Sequence, residues 1–336
     1  MTFTILCAWL ATSTAAQAPT LTAHFARTIA THMGDARDAV FTPDGQYLAT
    51  SSVDSTVKLW HVPDGALVRT LRHPGAVASI DISRDGGWLA SGGYDGTVRL
   101  WHLSDGTLTR TFAGHGATVW TVKFSPDGER LASGGEDRNL RLWRVSDGAP
   151  LRTLSGHSLN VWSVAWSVDG KHVASGSFDR TVKIWNTGSG ALVRTFSGHT
   201  QAVVGIAISP DGHLLASGGD DASIRIWRMS DGGLIRAIGV GNHNYKVAFS
   251  PDGQFIAGAS RARGALGTVW HDMFGGRFSG ANGTTVRIWR VSDGELQQAL
   301  AGHSDSAWNL AFSSNGTWLA SSSLDNTVIL WRLERR

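Results

Sequence analysis

Six sets of His, Ser or Thr, Asp and Trp recur along the chain at fixed offsets. They are His32, Thr50, Asp54, Trp60; His73, Ser91, Asp95, Trp101; His115, Ser133, Asp137, Trp143; His157, Ser175, Asp179, Trp185; His199, Ser217, Asp221, Trp227; and His303, Ser321, Asp325, Trp331. A His near a Ser and an Asp is the raw material of a hydrolase: the Ser attacks, the His takes its proton and the Asp orients the His. One protein does not need six such triads, so the repetition speaks for a structural role. Other chemistry finds no residues to carry it. No Gly-rich phosphate loop opens a helix, and neither zinc-ligand spacing nor a nucleophile elbow is present. The many Asp-Gly pairs lack the regular Asp/Asn/Glu spacing of calcium loops. His271-Asp272 has no third ligand at metal spacing. No cofactor and no metal are expected.

The elements that position these residues are repeats. Trp60, Trp101, Trp143, Trp185, Trp227, Trp289 and Trp331 end near-identical phrases such as DGTVRLW and DRTVKIW, at spacings of 41, 42, 42, 42, 62 and 42 residues. A fixed period of this kind means a repeat architecture rather than independent domains. Within each unit the signals are all β. Apolar residues alternate in VWTVKF (119–124), ERLASGG (129–135) and LRLWRV (140–145), as in half-buried strands. Turns such as Pro126-Asp127-Gly128 and Ser146-Asp147-Gly148 join them, with Asp capping the turn and Gly supplying positive φ. A fourth strand, as in ALVRTFSGH (191–199), leads to the next His. Each unit is then a four-stranded antiparallel meander.

These phrases, GH…SPDG…LASGG followed by D.TVRLW, resemble the signature of the WD-repeat (WD40) β-propeller family over residues 24–336. The namesake Asp never follows the Trp, whose successors here are His61, His102, Arg144, Asn186, Arg228, Arg290 and Arg332. The resemblance implies an all-β, seven-bladed β-propeller with four-stranded antiparallel blades. It also implies that each tetrad is a buried Asp–His–Ser–Trp hydrogen-bond chain tying a top loop to its blade. The chain ends just after a third strand, while HFARTIATH (24–32) matches ALVRTFSGH position for position. The N-terminal strand is therefore expected to complete the last blade and lock the ring, leaving only short protected edges.

The sixth unit departs from the rest. It has Val240, Gly258 and Gly283 where the others carry His, Ser and Asp, and about 21 extra residues by repeat length. The insertion, about 259–280, holds Arg261, Arg263, Arg277, Trp270, His271, Met273 and Phe274. In the family this connection lies on the top face. Arg, Met and large aromatics are the types enriched in binding hot spots. The segment reads either as a partner-binding loop over the central cavity or as an insertion packing onto its own blade. Five residues after the repeat His stand Trp120, Trp162 and Trp308, against Arg37, Ala78 and Val204 elsewhere. The resemblance places this position on the top rim of the innermost strand, where aromatics serve partner binding or core packing. Beside the tetrad Asp the side chains vary: Tyr94, Glu136, Arg138, Phe178, Arg180 and Asp220.

Residues 1–18, MTFTILCAWLATSTAAQA, differ from everything after them. No charge, an apolar stretch from Ile5 to Ala11 and small residues ending at Ala18 outline a signal peptide, though the usual Lys or Arg near Met1 is missing. The alternative is a disordered leader. Residues 19–23 are then a short linker. Localisation follows the leader: periplasmic or extracellular if it is cleaved, otherwise cytoplasmic. Composition narrows the rest. With 41 Gly, 15 Trp and 17% charged residues, the chain of 336 can bury a large core and is not disordered. A net charge of +3, with Lys and Arg scattered, makes nucleic acid an unlikely partner, and no apolar run is long enough to span a membrane as a helix. The expectation is a non-catalytic protein–protein interaction scaffold, a monomeric propeller within a complex, displaying top-face loops to a protein or peptide. The alternatives are an exported sensor or envelope-assembly scaffold, and a propeller enzyme with its site under the 259–280 insertion.

Overall fold

The computed structural model describes residues 18–29, 32–260 and 284–335. The leader to residue 17 and most of the sixth-unit insertion, with Arg261 and Trp270, lie outside the described residues. Every regular element among those described is a β-strand, arranged as seven four-stranded antiparallel sheets. Blades I to VI span residues 36–72, 77–113, 119–154, 161–197, 203–239 and 244–301, each with its strands in sequence order from the axis outward. Blade VII has three strands from residues 307–335, and its outermost strand is the N-terminal Leu21–Ile29. This strand pairs antiparallel with Val328–Arg335, from Leu21 opposite Arg335 to Ile29 opposite Val328. It starts at Leu21, inside the stretch expected as a linker, because Leu21 and Ala23 are buried in the core between blades VI and VII.

The innermost strands pack neighbour to neighbour around the axis, and Ala307–Phe312 of blade VII meets Ala36–Phe41 of blade I to complete the ring. The apolar core is not inside blades but between them. Seven clusters each combine the outward-lying strands of one blade with the inner strands of the next; one joins Ala132, Leu140 and Leu142 of blade III to Val161, Val164 and Trp185 of blade IV. No blade can bury its apolar face alone, which is why the repeats fold as one unit.

Polar clamps reinforce the same seams. Arg69, Arg110, Arg152, Arg194 and Arg236 on outermost strands each donate to backbone carbonyls in the lower hairpin of the following blade. Arg27 on the N-terminal strand does the same to Pro63, at 2.7 Å, and so ties blade VII to blade I. Blade VI uses Gln298 instead, which bonds both the N–H and the carbonyl of Ala23 at 2.6 and 2.9 Å. The ring is thus sealed at its joint by main-chain pairing and by side chains on both flanks.

Candidate functional site: the channel mouth

One irregularity recurs in all seven innermost strands. The pairing register slips by one residue between the first and third positions, so the second residue stands in a β-bulge. A bulge bends its strand and re-aims the extra side chain. The seven bulged residues are Arg37, Ala78, Trp120, Trp162, Val204, Tyr245 and Trp308, and all of them line the upper mouth of the central channel. This gives a common cause for the rim position found by counting from the repeat His.

The aromatic residues there form two clusters. Tyr94 meets Trp120 edge-on at 5.3 Å between ring centres; Trp120 stacks on Trp162 at 4.2 Å and 23°; Trp162 stacks on Phe178 at 4.8 Å and 15°. Across the mouth Tyr245 leans on Trp308 at 4.3 Å, and the Arg37 guanidinium sits 4.5 Å over the Trp308 ring. Arg37 also pairs with Asp35 at 3.3 Å. Burial pushes the Tyr94 hydroxyl above its ordinary value, against the nearby charge of Arg37. The free space between these side chains is only about 40 Å³. That is room for about one water. The mouth is a half-buried aromatic surface and not a pocket.

Of the residues expected on the top face, Trp120, Trp162, Trp308, Arg37, Tyr94 and Phe178 come together here. Arg138 and Arg180 do not join the ring. They occupy exposed turns just after the tetrad Asp, in the left-handed region at φ 68° and 72°. Gly96 holds the same place in blade II, so the position demands a conformation that disfavours a Cβ. Tyr245 escaped the sequence reading, although it stands five residues after Val240, in step with the other units. Met33 and Leu159, 94% and 49% exposed in the top loops, were also missed.

The tetrads lie beneath this face. In blade III the Trp143 indole N–H donates to Ser133 Oγ at 2.8 Å, Ser133 Oγ lies 2.8 Å from His115 Nε2, and His115 Nδ1 lies 2.9 Å from Asp137. Blade IV repeats it with Trp185, Ser175, His157 and Asp179 at 2.9, 2.8 and 2.7 Å. Blades I, V and VII have the same chain through His32, His199 and His303. Because a carboxylate only accepts, the neutral His carries its proton on Nδ1 and donates it to the Asp; Nε2 then accepts from the Ser hydroxyl, whose oxygen accepts from the indole N–H. That order of contacts is also the order of a Ser-His-Asp triad, but burial decides against it. Ser133 and Ser175 are 0% exposed, each with Oγ already accepting from an indole. No substrate carbonyl can reach them. Burial works to raise the Asp137 carboxyl, yet the hydrogen bond and charge of His115, with the Asn139 amide and Arg141, hold it well below the usual carboxylate range.

Blade II breaks the chain although its residues match. Both His73 ring nitrogens lack partners among the described residues, and the ring lies on Trp101 at 4.7 Å, against 6.4 and 6.3 Å for the corresponding rings of blades III and IV. Arg99 takes the Asp95 carboxylate at 2.6 and 3.2 Å instead. The residue before the His also varies. Gly114, Gly156, Gly198 and Gly302 occupy it in blades III, IV, V and VII, where a Cβ would come within 2.8–3.2 Å of the tetrad Trp ring, and Thr31 stands there in blade I. In blade II that residue is Arg72. Burial and the nearby Arg99 charge press the His73 imidazole down to about 4. Blade VI has Val240 and Gly258 in place of His and Ser, and buries Asn244 beside Gly218 and Gly258 with its amide unpaired among the described residues. No group of three His, Cys, Asp or Glu side chains gathers as a metal site among the described residues. No helix among them is long and apolar enough to cross a membrane.

The family model described as "WD domain, G-beta repeat" matches residues 22–61, 65–102, 106–144, 148–186, 190–228 and 294–332. It passes over the sixth unit, which nonetheless forms a blade with the same pairing. Among curated proteins the chain is similar to Elongator complex protein 2 of Dictyostelium discoideum, 36% identical over 93 residues, 28% of this chain and 8% of that protein. It is also similar to Protein HIR1 of Mycosarcoma maydis, 48% identical over 48 residues, 14% of this chain and 5% of that protein. The matches span less than a tenth of either relative. With the repeat matched over most of its length and seven blades closed around one axis, the chain belongs to the WD40 repeat family.

Proposed function

We propose that the protein is a non-catalytic interaction scaffold that holds a protein or peptide partner across the upper mouth of its channel. The observation that carries this reading is the bulge shared by all seven innermost strands, which gathers Arg37, Trp120, Trp162, Tyr245 and Trp308 on one rim. Tyr, Trp and Arg are the side chains that dominate binding energy at protein interfaces. They are half-buried here, stacked on one another and so already ordered, which lowers the entropy lost on binding. A mouth with so little free space favours contact across a surface over capture of a small metabolite. The word "complex" in the name of the Dictyostelium relative agrees with a role in assembly.

Affinity capture with the wild type and with Trp120→Ala/Trp162→Ala tests the reading. Partners held by the wild type and lost by the variant are expected; identical partner sets would overturn it. Export is a separate proposal, supported by the uncharged apolar leader, and would make the scaffold a periplasmic or extracellular one. Sequencing the N-terminus of the mature protein tests it, and an intact Met1 would refute it.

A further inference from the structure

Below the aromatic mouth the channel widens to a cavity of about 570 Å³. That is within the range of small-ligand sites, roughly 300–1,000 Å³. Its wall is lopsided. The fifth residue of the innermost strand is Ala165, Ala207, Ala248 and Ala311 in blades IV to VII, but Asp81 and Lys123 in blades II and III. Four adjacent alanines hollow out one side, and Phe124, Trp166, Phe249 and Phe312 line the space with them.

The charges in this channel are unequally used. Asp38 accepts from the Ala39 N–H at 2.8 Å, from Ser79 Oγ at 2.9 Å and from the Ile80 N–H at 3.0 Å. Asp81 accepts from Lys123 Nζ at 2.6 Å and from the Phe124 N–H at 2.8 Å. Lys246 lines both the mouth and the wide part of the channel, and no hydrogen bond or ion pair joins it to another described residue. Burial lowers its ammonium from the ordinary value, and the charge of Lys123 adds to this against Asp38 and Asp81. The strand that carries it lies hard against blade V, where a Cβ on Gly205 would come within 2.8 Å of the Lys246 Cα. Lys246 is thus a cation with no direct hydrogen-bonded or ion-paired partner among the described residues, at the inner end of a largely apolar cavity.

We propose that the lower channel is a binding site for an amphipathic monocarboxylate, with its carboxylate on Lys246 and its apolar body along Ala165, Ala207, Ala248 and Ala311. Arg84 also lines the cavity but stands exposed at its outer turn; at the inner end Asp81 is taken by Lys123, and Asp38 by Ser79 and two backbone N–H groups, so Lys246 is the charge left there to meet one carboxylate. The narrow mouth above directs entry to the opposite end. The site adjoins the partner-binding rim through Lys246, but its test does not require a partner.

Calorimetric titration of the full chain with decanoate, decan-1-ol, decyltrimethylammonium and acetate tests the proposal. Decanoate is expected to bind one to one, about tenfold or more tighter than decan-1-ol, through a charge-assisted contact. Decyltrimethylammonium and acetate are expected to show no saturable binding. Lys246→Met keeps the apolar stem and should reduce decanoate to the affinity of decan-1-ol, with a melting temperature at or above the wild type. Lys246→Gln serves the same purpose should the Met variant fail to fold, and Ala207→Leu should exclude decanoate while leaving the lysine in place. Equal binding of acid and alcohol, acetate binding as tightly as decanoate, or decanoate binding unchanged by loss of the Lys246 charge would each overturn it.

Discussion

Two sets of equivalent positions in the seven blades behave in opposite ways. At the tetrad, five blades repeat one chain of four side chains with nearly the same distances. At the bulge, the same seven places hold Arg, Ala, Trp, Trp, Val, Tyr and Trp. Both sets are fixed by the same strands, so the backbone does not explain the contrast. The tetrads face a common problem, the buried polar groups under each top loop, and solve it in one way. The bulged residues face the channel opening, where no common packing requirement exists and where differences among blades make two opposite arcs of the mouth aromatic and leave blades II and V without a ring. Repetition marks what holds the ring, and variation marks what the ring presents.

The largest expected effect sharpens this contrast from the structural side. His157→Ala removes the acceptor of the Ser175 hydroxyl and one hydrogen bond to Asp179, and should cost about 3–4 kcal/mol in urea unfolding. Partner capture by the folded fraction should be unchanged. His73→Ala, in the blade whose chain is already broken, should cost far less. Equal losses at the two positions would show that the blade II His is held as the others are.

Of intermediate size is the effect of acid on blade II. The folded His73 imidazole titrates at about 4, below its ordinary value of 6.5. Between those values the unfolded chain binds more protons, so stability falls as the pH falls through this window. The loss reaches about 2 kcal/mol by pH 5. His73→Phe should remove it, so that the variant gains on the wild type between pH 7.5 and 5. His32 and His199 are lowered as well, burial outweighing their Asp partners, and they add to the same acid sensitivity. Unfolding curves for the two proteins at both pH values decide the matter; parallel losses would exclude His73 as the source.

The smallest effect concerns the exposed turns. Arg138 is exposed and holds φ 68°. Arg138→Gly should stabilise the protein by up to about 1 kcal/mol, read as a modest rise in melting temperature. If the same variant also loses its partner, Arg138 belongs to the recognition surface together with the rim.

The repeat period, the four-stranded blades and the N-terminal strand that completes the ring were all legible in the sequence, because each rests on spacing and alternation. The rim position was legible by counting, and Tyr245 could have been found in the same way despite the loss of the blade VI tetrad. The bulge was not, since a slipped register leaves no trace in residue types. Nor was the failure of His73, whose own unit matches the pattern; it shows only in the structure, where Arg99 takes the Asp95 carboxylate at two points. Lys246 escaped notice because its surroundings are assembled from inner strands far apart in the chain. Leu21 looked like linker because its burial depends on strands more than two hundred residues away.

The central claim is that binding resides at the mouth and stability in the tetrads. The most direct test is the affinity of the captured partner, measured calorimetrically against the wild type, Trp120→Ala/Trp162→Ala and Val193→Ser on the outer wall. The account predicts a loss of about 30-fold or more for the mouth variant, of the size expected when a hot spot is truncated, and none for the outer-wall variant. A mouth variant that stays folded and binds as tightly as the wild type would contradict it.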